Sequence, residues 1–336
     1  MSRAIGEDIR LGRVLAMVLL AWMLLALMLL AMMMPATTLA GVRVVTTNPT
    51  LADLTRQVGG EQVRVESLMR GPENPHNVVP KPSFVMKLRK ADLFVHLGLD
   101  AEPWLPNLLR SARQERLLTG GRGNVNVSAG VTLLEVPSQG ELTRALGDIH
   151  VYGNTHYLLD PLNGALIGHT IARALARVDP DNASMFEERA LELERSLVAL
   201  TEKLSLAMAP LAGSQVVIYH RTWPYFLKRF KLAKLDEVEP KPGIAPGPRH
   251  IAQLAKEMLQ SRVGLVIVES FSNQRTAERL AELAKGRIVL LAQEVNAVPG
   301  VDSYQALFEY NIAALLKAHR ALVGTAASLP AGETRP

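Results

Sequence analysis

One stretch limits what this chain can fold into more than any other. Across residues 179–211, Phe186, Ala190, Leu193, Leu197, Leu200, Leu204 and Ala207 recur at alternating steps of four and three. That spacing lays a single apolar stripe down an α-helix. Glu187, Glu188, Glu192, Glu194, Arg195, Glu202 and Lys203 fill the other faces. Asp179 is placed to cap the helix. Pro180 suits its first position, where the missing N–H would be unpaired anyway. Pro210 and Gly213 end it. At 1.5 Å per residue, some thirty residues reach roughly 45 Å, more than the cover of one small sheet requires. The stretch therefore reads as a rigid strut joining two halves.

Each half alternates strand-like and helical runs. Before the strut, residues 42–47, 62–69, 91–98 and 124–131 read as strands, with helices at 51–58, 84–90 and 103–114 and a further helix from Pro161 to Arg177. After it, strands are expected at 215–219, 233–238, 264–269 and 287–291, and helices at 223–230, 250–260, 276–285 and 304–322. This alternation implies an α/β fold of two lobes, each a parallel sheet of about four strands with covering helices. The expected divisions are 41–178 for the first lobe, 179–211 for the linker helix and 212–323 for the second lobe. A disordered tail is expected at 324–336.

The first forty residues stand outside this plan. Arg3, Arg10 and Arg13 precede an unbroken apolar run from Val14 to Met34, then Pro35 and a small-residue segment ending at Ala40. A basic region, an apolar region and a small-residue cleavage site are the parts of an export signal. The apolar run is also long enough for a retained membrane anchor. Either way the remainder is expected outside the cytoplasm, in the periplasm. The chain has no cysteine, which removes disulfides, thiolate metal sites, thiol nucleophiles and a lipid-modified cysteine together. Its net charge of +5 is spread along 336 residues without a basic run, so no nucleic-acid partner is expected.

Ligands of open parallel sheets bind beyond the C-terminal strand ends, which selects side chains on loops leaving strands. His76 leaves the second strand within a loop stiffened by Pro72, Pro75, Pro80 and Pro82; His220 ends the first strand of the second half; Asp302 follows the last strand; His156 precedes the long helical connection. Three imidazoles and one carboxylate suit a divalent metal. Each residue also has a plainer use: His76 and His156 as exposed loop residues, His220 as a core histidine, Asp302 as a helix cap. His150 competes with His156 as a ligand, and Glu269 ends a strand as a cleft-facing base or ligand, or as a buried ion-pair partner or rim residue. His96 reads as core or supporting residue, and His169, His250 and His319 as surface residues. Gly120-Gly121-Arg122-Gly123 lacks the lysine and hydroxyl of a phosphate loop. Gly-x-Ser-x-Gly is absent, so no hydrolase nucleophile elbow exists.

Four motifs in order give the pattern a family. They are Asn74-Pro75-His76 with Pro80-Lys81-Pro82-Ser83, then Gly153-Asn154-Thr155-His156 through Asp160-Pro161, then Tyr219-His220-Arg221-Thr222-Trp223-Pro224, and Val301-Asp302-Ser303-Tyr304 with Asn311. With the opening Val44-Val45-Thr46-Thr47-Asn48-Pro49, the chain resembles the zinc- and manganese-binding solute-binding proteins of bacterial ABC importers. The resemblance runs from Val42 to Val323. It implies two lobes joined by one long helix, and His76, His156, His220 and Asp302 as ligands of one ion in the cleft between them. It further implies no enzymatic activity, delivery of the metal to an inner-membrane ABC permease, and action as a monomer. Three nitrogens and a carboxylate favour Zn2+ over Mn2+. The alternatives are a manganese or iron carrier, a zinc hydrolase with Glu269 as base, and an adhesin whose metal is structural. Thr155 stands where the family commonly has proline, and no histidine-rich stretch lies between Leu118 and Gly147.

Overall fold

The structure, a computed structural model, describes residues 17–25, 27–28, 41–137, 151–241 and 243–327. Residues 1–40 separate from 41–336 as their own unit, and its described part is helical. No helix among the described residues is long and apolar enough to cross a membrane.

In the larger unit, β1 (Val42–Thr46) is the pivot of the first sheet. Successive side chains of a strand point to opposite faces, and both faces of β1 are covered. Val44 packs into one apolar cluster with Leu54 and Leu93, while Val45 packs into another with Phe94, Leu88 and Leu108. The parallel neighbours β2 (Val63–Ser67) and β3 (Leu93–His96) flank it, Val42 lying opposite Val63 and Val44 opposite Leu93. The sheet closes with β4 (Asn124–Asn126), in the order β2-β1-β3-β4. The second sheet repeats the plan. Its strands are β5 (Gln215–Ile218), β6 (Ala233–Glu237), β7 (Leu265–Val268) and β8 (Arg287–Leu290), in the order β6-β5-β7-β8 and all parallel.

The connections are helical: α1 (Pro49–Gly59), α2 (Pro82–Lys90), α3 (Leu105–Ala112), α4 (Pro161–Val178), α5 (Ala183–Ala207), α6 (Pro224–Arg229), α7 (Pro248–Gln260), α8 (Gln274–Leu283) and α9 (Tyr304–Ala327). Local chemistry sets several boundaries away from the sequence expectation. Proline, whose φ suits the first helical turn, opens α1, α2 and α7 earlier than the apolar spacing indicates. Ser83 does not cap α2; Lys81 occupies that position without a side-chain bond. The strand expected at 124–131 ends at Asn126, because the Asn126 carboxamide accepts from Ser128 N (3.0 Å) and Ser128 Oγ (2.8 Å) and turns the chain. At the far end, α9 runs beyond Gly324 to Ala327, and residues 328–336 lie outside the described residues.

The long helix forms, with two corrections. A short 3-10 turn, Pro180–Asn182, precedes α5, and Asp179 accepts from Asn182 Nδ2 at 2.8 Å instead of capping the helix. Nor does α5 stand free between two lobes. Its stripe of Phe186, Ala190, Leu193, Leu197, Leu200 and Leu204 is buried in one continuous core with Val44 and Leu54 from the first half. Ile218, Phe226 and Phe308 from the second half lie in that same core. It also pairs with α4, where His169 meets Glu187 at 3.3 Å and Glu194 at 2.9 Å. That histidine is half-buried and lies between two carboxylates rather than being a plain surface residue. An apolar stripe this long needed a partner along its whole length, and the two halves share that duty. Close approach at Gly164 shows the same economy. A Cβ there would lie 2.1 Å from the Tyr304 ring, so α4 and α9 meet backbone to ring.

The packing of α5 is testable on two adjacent residues. Leu197 is fully buried and Val198 is 40% exposed. Leu197→Ala is expected to cost about 2–5 kcal/mol in chemical denaturation, whereas Val198→Ala stays within about 0.5 kcal/mol.

Candidate metal centre

The loops that leave the C-terminal strand ends of the two sheets meet, and three of their imidazoles converge. The ligating atoms of His76, His156 and His220 all lie within 4.8 Å of one another. His76 Nε2 and His156 Nε2 are 3.5 Å apart. Zinc–nitrogen bonds of about 2.0–2.1 Å in a tetrahedron separate neighbouring nitrogens by about 3.4 Å. The observed spacing therefore suits two ligands on one ion.

Each imidazole is held by its own local device. Asn74 Oδ1 accepts from His76 N at 3.0 Å, and Asn154 Oδ1 accepts from His156 N at 3.0 Å, so an Asn-x-His turn is used twice. His76 Nδ1 lies 3.1 Å from Ala101 O. A carbonyl only accepts, so the proton sits on Nδ1 and the Nε2 lone pair is left for an ion. The loop that supplies Ala101 passes through left-handed backbone at Leu99 (φ 57°) and Asp100 (φ 55°). Trp104 Nε1 donates to Pro75 O at 3.0 Å and ties that loop to the His76 turn. Deeper in, His220 is 4% exposed and its Nδ1 lies 2.7 Å from Glu239 Oε2. A carboxylate behind a histidine fixes the tautomer and makes the other nitrogen a stronger donor.

The electrostatics favour a cation. Burial pulls the His220 pKa down, but the Glu239 hydrogen bond and the charges of Glu269, Glu239 and Glu237 outweigh it and leave the net value above the ordinary range. Glu269, at the end of β7, is fully buried and accepts from Trp223 Nε1 at 2.5 Å and from Ser272 Oγ. This is the enclosed alternative among its sequence readings. Both oxygens accept hydrogen bonds, from an indole and a hydroxyl rather than from a cationic partner. Glu294, past β8, is buried, bonded by Thr50 Oγ1 and pushed up to about 7 by desolvation.

Asp302 does not join the trio. Val301 (1% exposed) and Tyr304 (0%) are anchored in the core on either side of it, and Asp302 between them is exposed. Its field reaches Asp53, which holds Tyr304 N at 2.8 Å. The helix-cap role falls to Ser303, whose Oγ accepts from Ala306 N at 3.2 Å. Of the four expected residues, the structure brings the three histidines together and places Asp302 outside their cluster. His150 lies outside the described residues. Sequence reasoning missed Glu239 and Ala101 O, which support ligands without being ligands; the proline-rich loop after the 233–238 strand was the only signal for the former. His96 is buried, stacked on Phe94 with 5.4 Å between ring centroids and bonded to Asn124 Oδ1 at 3.0 Å, as a core or supporting residue would be.

Residues 44–318 match the family model described as zinc-uptake complex component A, periplasmic (ZnuA). The chain belongs to the ZnuA family. Over 282 residues it is 25% identical to the manganese ABC transporter substrate-binding lipoprotein PsaA of Streptococcus pneumoniae, covering 81% of this chain and 87% of that one. Over 298 residues it is 25% identical to the high-affinity zinc uptake system protein ZnuA of Paracoccus denitrificans, covering 79% and 88%. A crystal structure of ZnuA matches with a TM-score of 0.70 at 23% identity, over 83% of this chain and 99% of that one, a likeness of fold. Membership of the ZnuA family places the chain among the metal-binding components of ABC uptake systems, and nothing in that family or in the enclosure of Glu269 supports the hydrolase reading.

The Glu239–His220 pair makes a prediction for the metal-free protein. In imidazole NMR titrations His220 is expected to lose its proton above the usual histidine range, and Glu239→Gln is expected to lower that pKa. A histidine pKa raised by folding stabilises the fold fully below the unfolded value, about 6.5, and that stabilisation is lost as pH rises through the folded value. Glu239→Gln should therefore flatten the fall in stability across that interval.

Proposed function

We propose that this chain is an extracytoplasmic carrier that binds one Zn2+ through His76, His156 and His220 and hands it to an ABC permease in the inner membrane. The observation that carries the reading is the convergence of three imidazoles whose ligating atoms lie within 4.8 Å. Nitrogen donors favour zinc over manganese, which prefers oxygen. In this reading residues 1–40 direct export, with cleavage after Ala40 or retention as an anchor. The lobes are 41–178 and 212–323, and the carrier acts as a monomer. A fourth coordination position is left for water. Three protein ligands with an open place also occur in catalytic zinc sites, so the case against an enzyme rests on membership of the ZnuA family rather than on a closed ligand set. The resemblance of the chain to a manganese-named relative keeps manganese as the competing cargo.

Zinc bound at about 10–16 kcal/mol and shared among four ligands gives roughly 3 kcal/mol each, a loss on the order of 100-fold per ligand removed. His76→Ala, His156→Ala and His220→Ala are each expected to weaken zinc by that order in chelator competition, while Asp302→Ala changes it little. Manganese should fail to displace zinc at equal concentration. Protons compete for the imidazoles, so affinity should fall below about pH 6. Affinity unchanged down to about pH 5, or unaffected by the histidine substitutions, would overturn the proposal. Capture is expected to proceed by loop adjustment, so small-angle scattering of the metal-free and zinc-loaded forms should give the same overall dimensions.

A further inference from the structure

The segment that carries His156 precedes the long helix in the chain, yet much of its fastening comes from beyond it. Asn154 Nδ2 donates to Arg221 O at 2.9 Å, one residue past His220. The Tyr225 hydroxyl donates to Asn154 O at 2.8 Å and accepts from Leu134 N at 3.0 Å. At the other end of the segment Arg229 grips Asp160, with Nε to Oδ1 and Nη2 to Oδ2 both at 2.8 Å. This two-pronged pairing is the stronger and more directional form of an ion pair. Asp160 Oδ1 also caps α4 through Leu162 N at 3.0 Å. Tyr304 adds a third tie, its hydroxyl reaching Leu158 O at 2.7 Å and Asp160 O at 3.0 Å.

Tyr225 and Arg229 are four residues apart on α6, on one face of the helix that leaves the His220 loop. The short helix therefore holds both ends of the His156 segment at a fixed place relative to His220. From the first half the segment receives a bond between Asn154 N and Leu134 O (2.8 Å), and Leu134 is itself bonded to Tyr225. It also receives the Tyr157 hydroxyl bond to Leu97 O. The His76 turn is braced differently, by Asn74, Ala101 O and Trp104, all within the first half.

We infer that Tyr225 and Arg229 are positioning residues for metal capture. They fix His156 against His220 as a preassembled two-nitrogen half-site, which His76 then completes. The inference rests on the metal-capture reading above.

The test is zinc affinity by chelator competition on the full chain, for Tyr225→Phe alone and on the His76→Ala and His156→Ala backgrounds. Loss of an outer partner of a ligand typically costs about 10-fold or more. Tyr225→Phe is expected to weaken zinc by about that factor in the wild type and by the same factor on the His76→Ala background. On the His156→Ala background it should have no further effect. Unchanged affinity in the single variant, or an equal loss on the His156→Ala background, overturns the inference. Imidazole NMR of the metal-free chain gives a second readout: Tyr225→Phe should move the His156 signals and leave those of His76 in place. Because that measurement needs no metal, it still decides the positioning claim if the chain proves not to bind zinc. Should Tyr225→Phe fail to fold, Arg229→Lys keeps the charge, loses the fork and carries the same expectations.

Discussion

The burial of two sheet faces in one apolar core is the constraint on which the rest depends. Val44 and Leu93 of the first sheet, Val216 and Ile218 of the second, and the stripe of α5 all belong to that core. A shared core fixes the two sheets against each other, and with them the strand ends. Each sheet has its switch in strand order at its centre, between β1 and β3 in one and β5 and β7 in the other. Loops leaving such points form the natural ligand crevice. Two copies of the same topology, joined at the core, turn two crevices into one site. The imidazoles meet there because their backbones are already placed.

Placement alone does not make a ligand, and the support around each ring does the remainder. For His76 and His220 the Nδ1 atoms face acceptors, Ala101 O and Glu239, so both rings offer Nε2 inward. The two supports differ in kind. A carbonyl sets the tautomer of His76 but carries no net charge. A buried carboxylate sets the tautomer of His220 and raises its basicity.

Much of this was legible in the chain. Strands and helices follow from period-two and period-3.6 patterning, and nearly every one lies within a few residues of its expected place. The convergence of His76 and His220 was expected from a positional rule, that side chains on loops leaving parallel strands face the crevice, and that of His156 from its motif. Asp302 met the same rule yet lies outside the cluster, because the rule knows the loop but not the direction of a side chain within it. The buried neighbours Val301 and Tyr304 decide that direction, and their burial is a tertiary fact. Glu239 was illegible for a related reason: its partner lies on the loop leaving the neighbouring strand, and nothing local marks a carboxylate as the support of a ring elsewhere in the chain. The strut was half legible. Periodicity showed that α5 has an apolar face, but not that both halves would cover it.

That last correction changes how the molecule can move. A rod holding two lobes apart would permit bending at its ends with little loss. A helix buried with both sheets does not. Phe226, Phe230 and Phe308 pack ring against ring beside α5, and opening the halves would return such surfaces to water. At about 25 cal/mol per Å2, exposing some 400 Å2 of apolar surface costs on the order of 10 kcal/mol, comparable to the whole stability of a domain. Small rearrangements of the loops beyond the strand ends carry no such penalty, since those loops are braced by individual hydrogen bonds worth about 1 kcal/mol each. The least costly motion is therefore local. Both ligand-bearing segments of the first half carry such bonds across the cleft, Gly71 O from Gln293 Nε2 at 3.0 Å and Asn154 O from the Tyr225 hydroxyl at 2.8 Å, so adjustment there trades single hydrogen bonds rather than core surface.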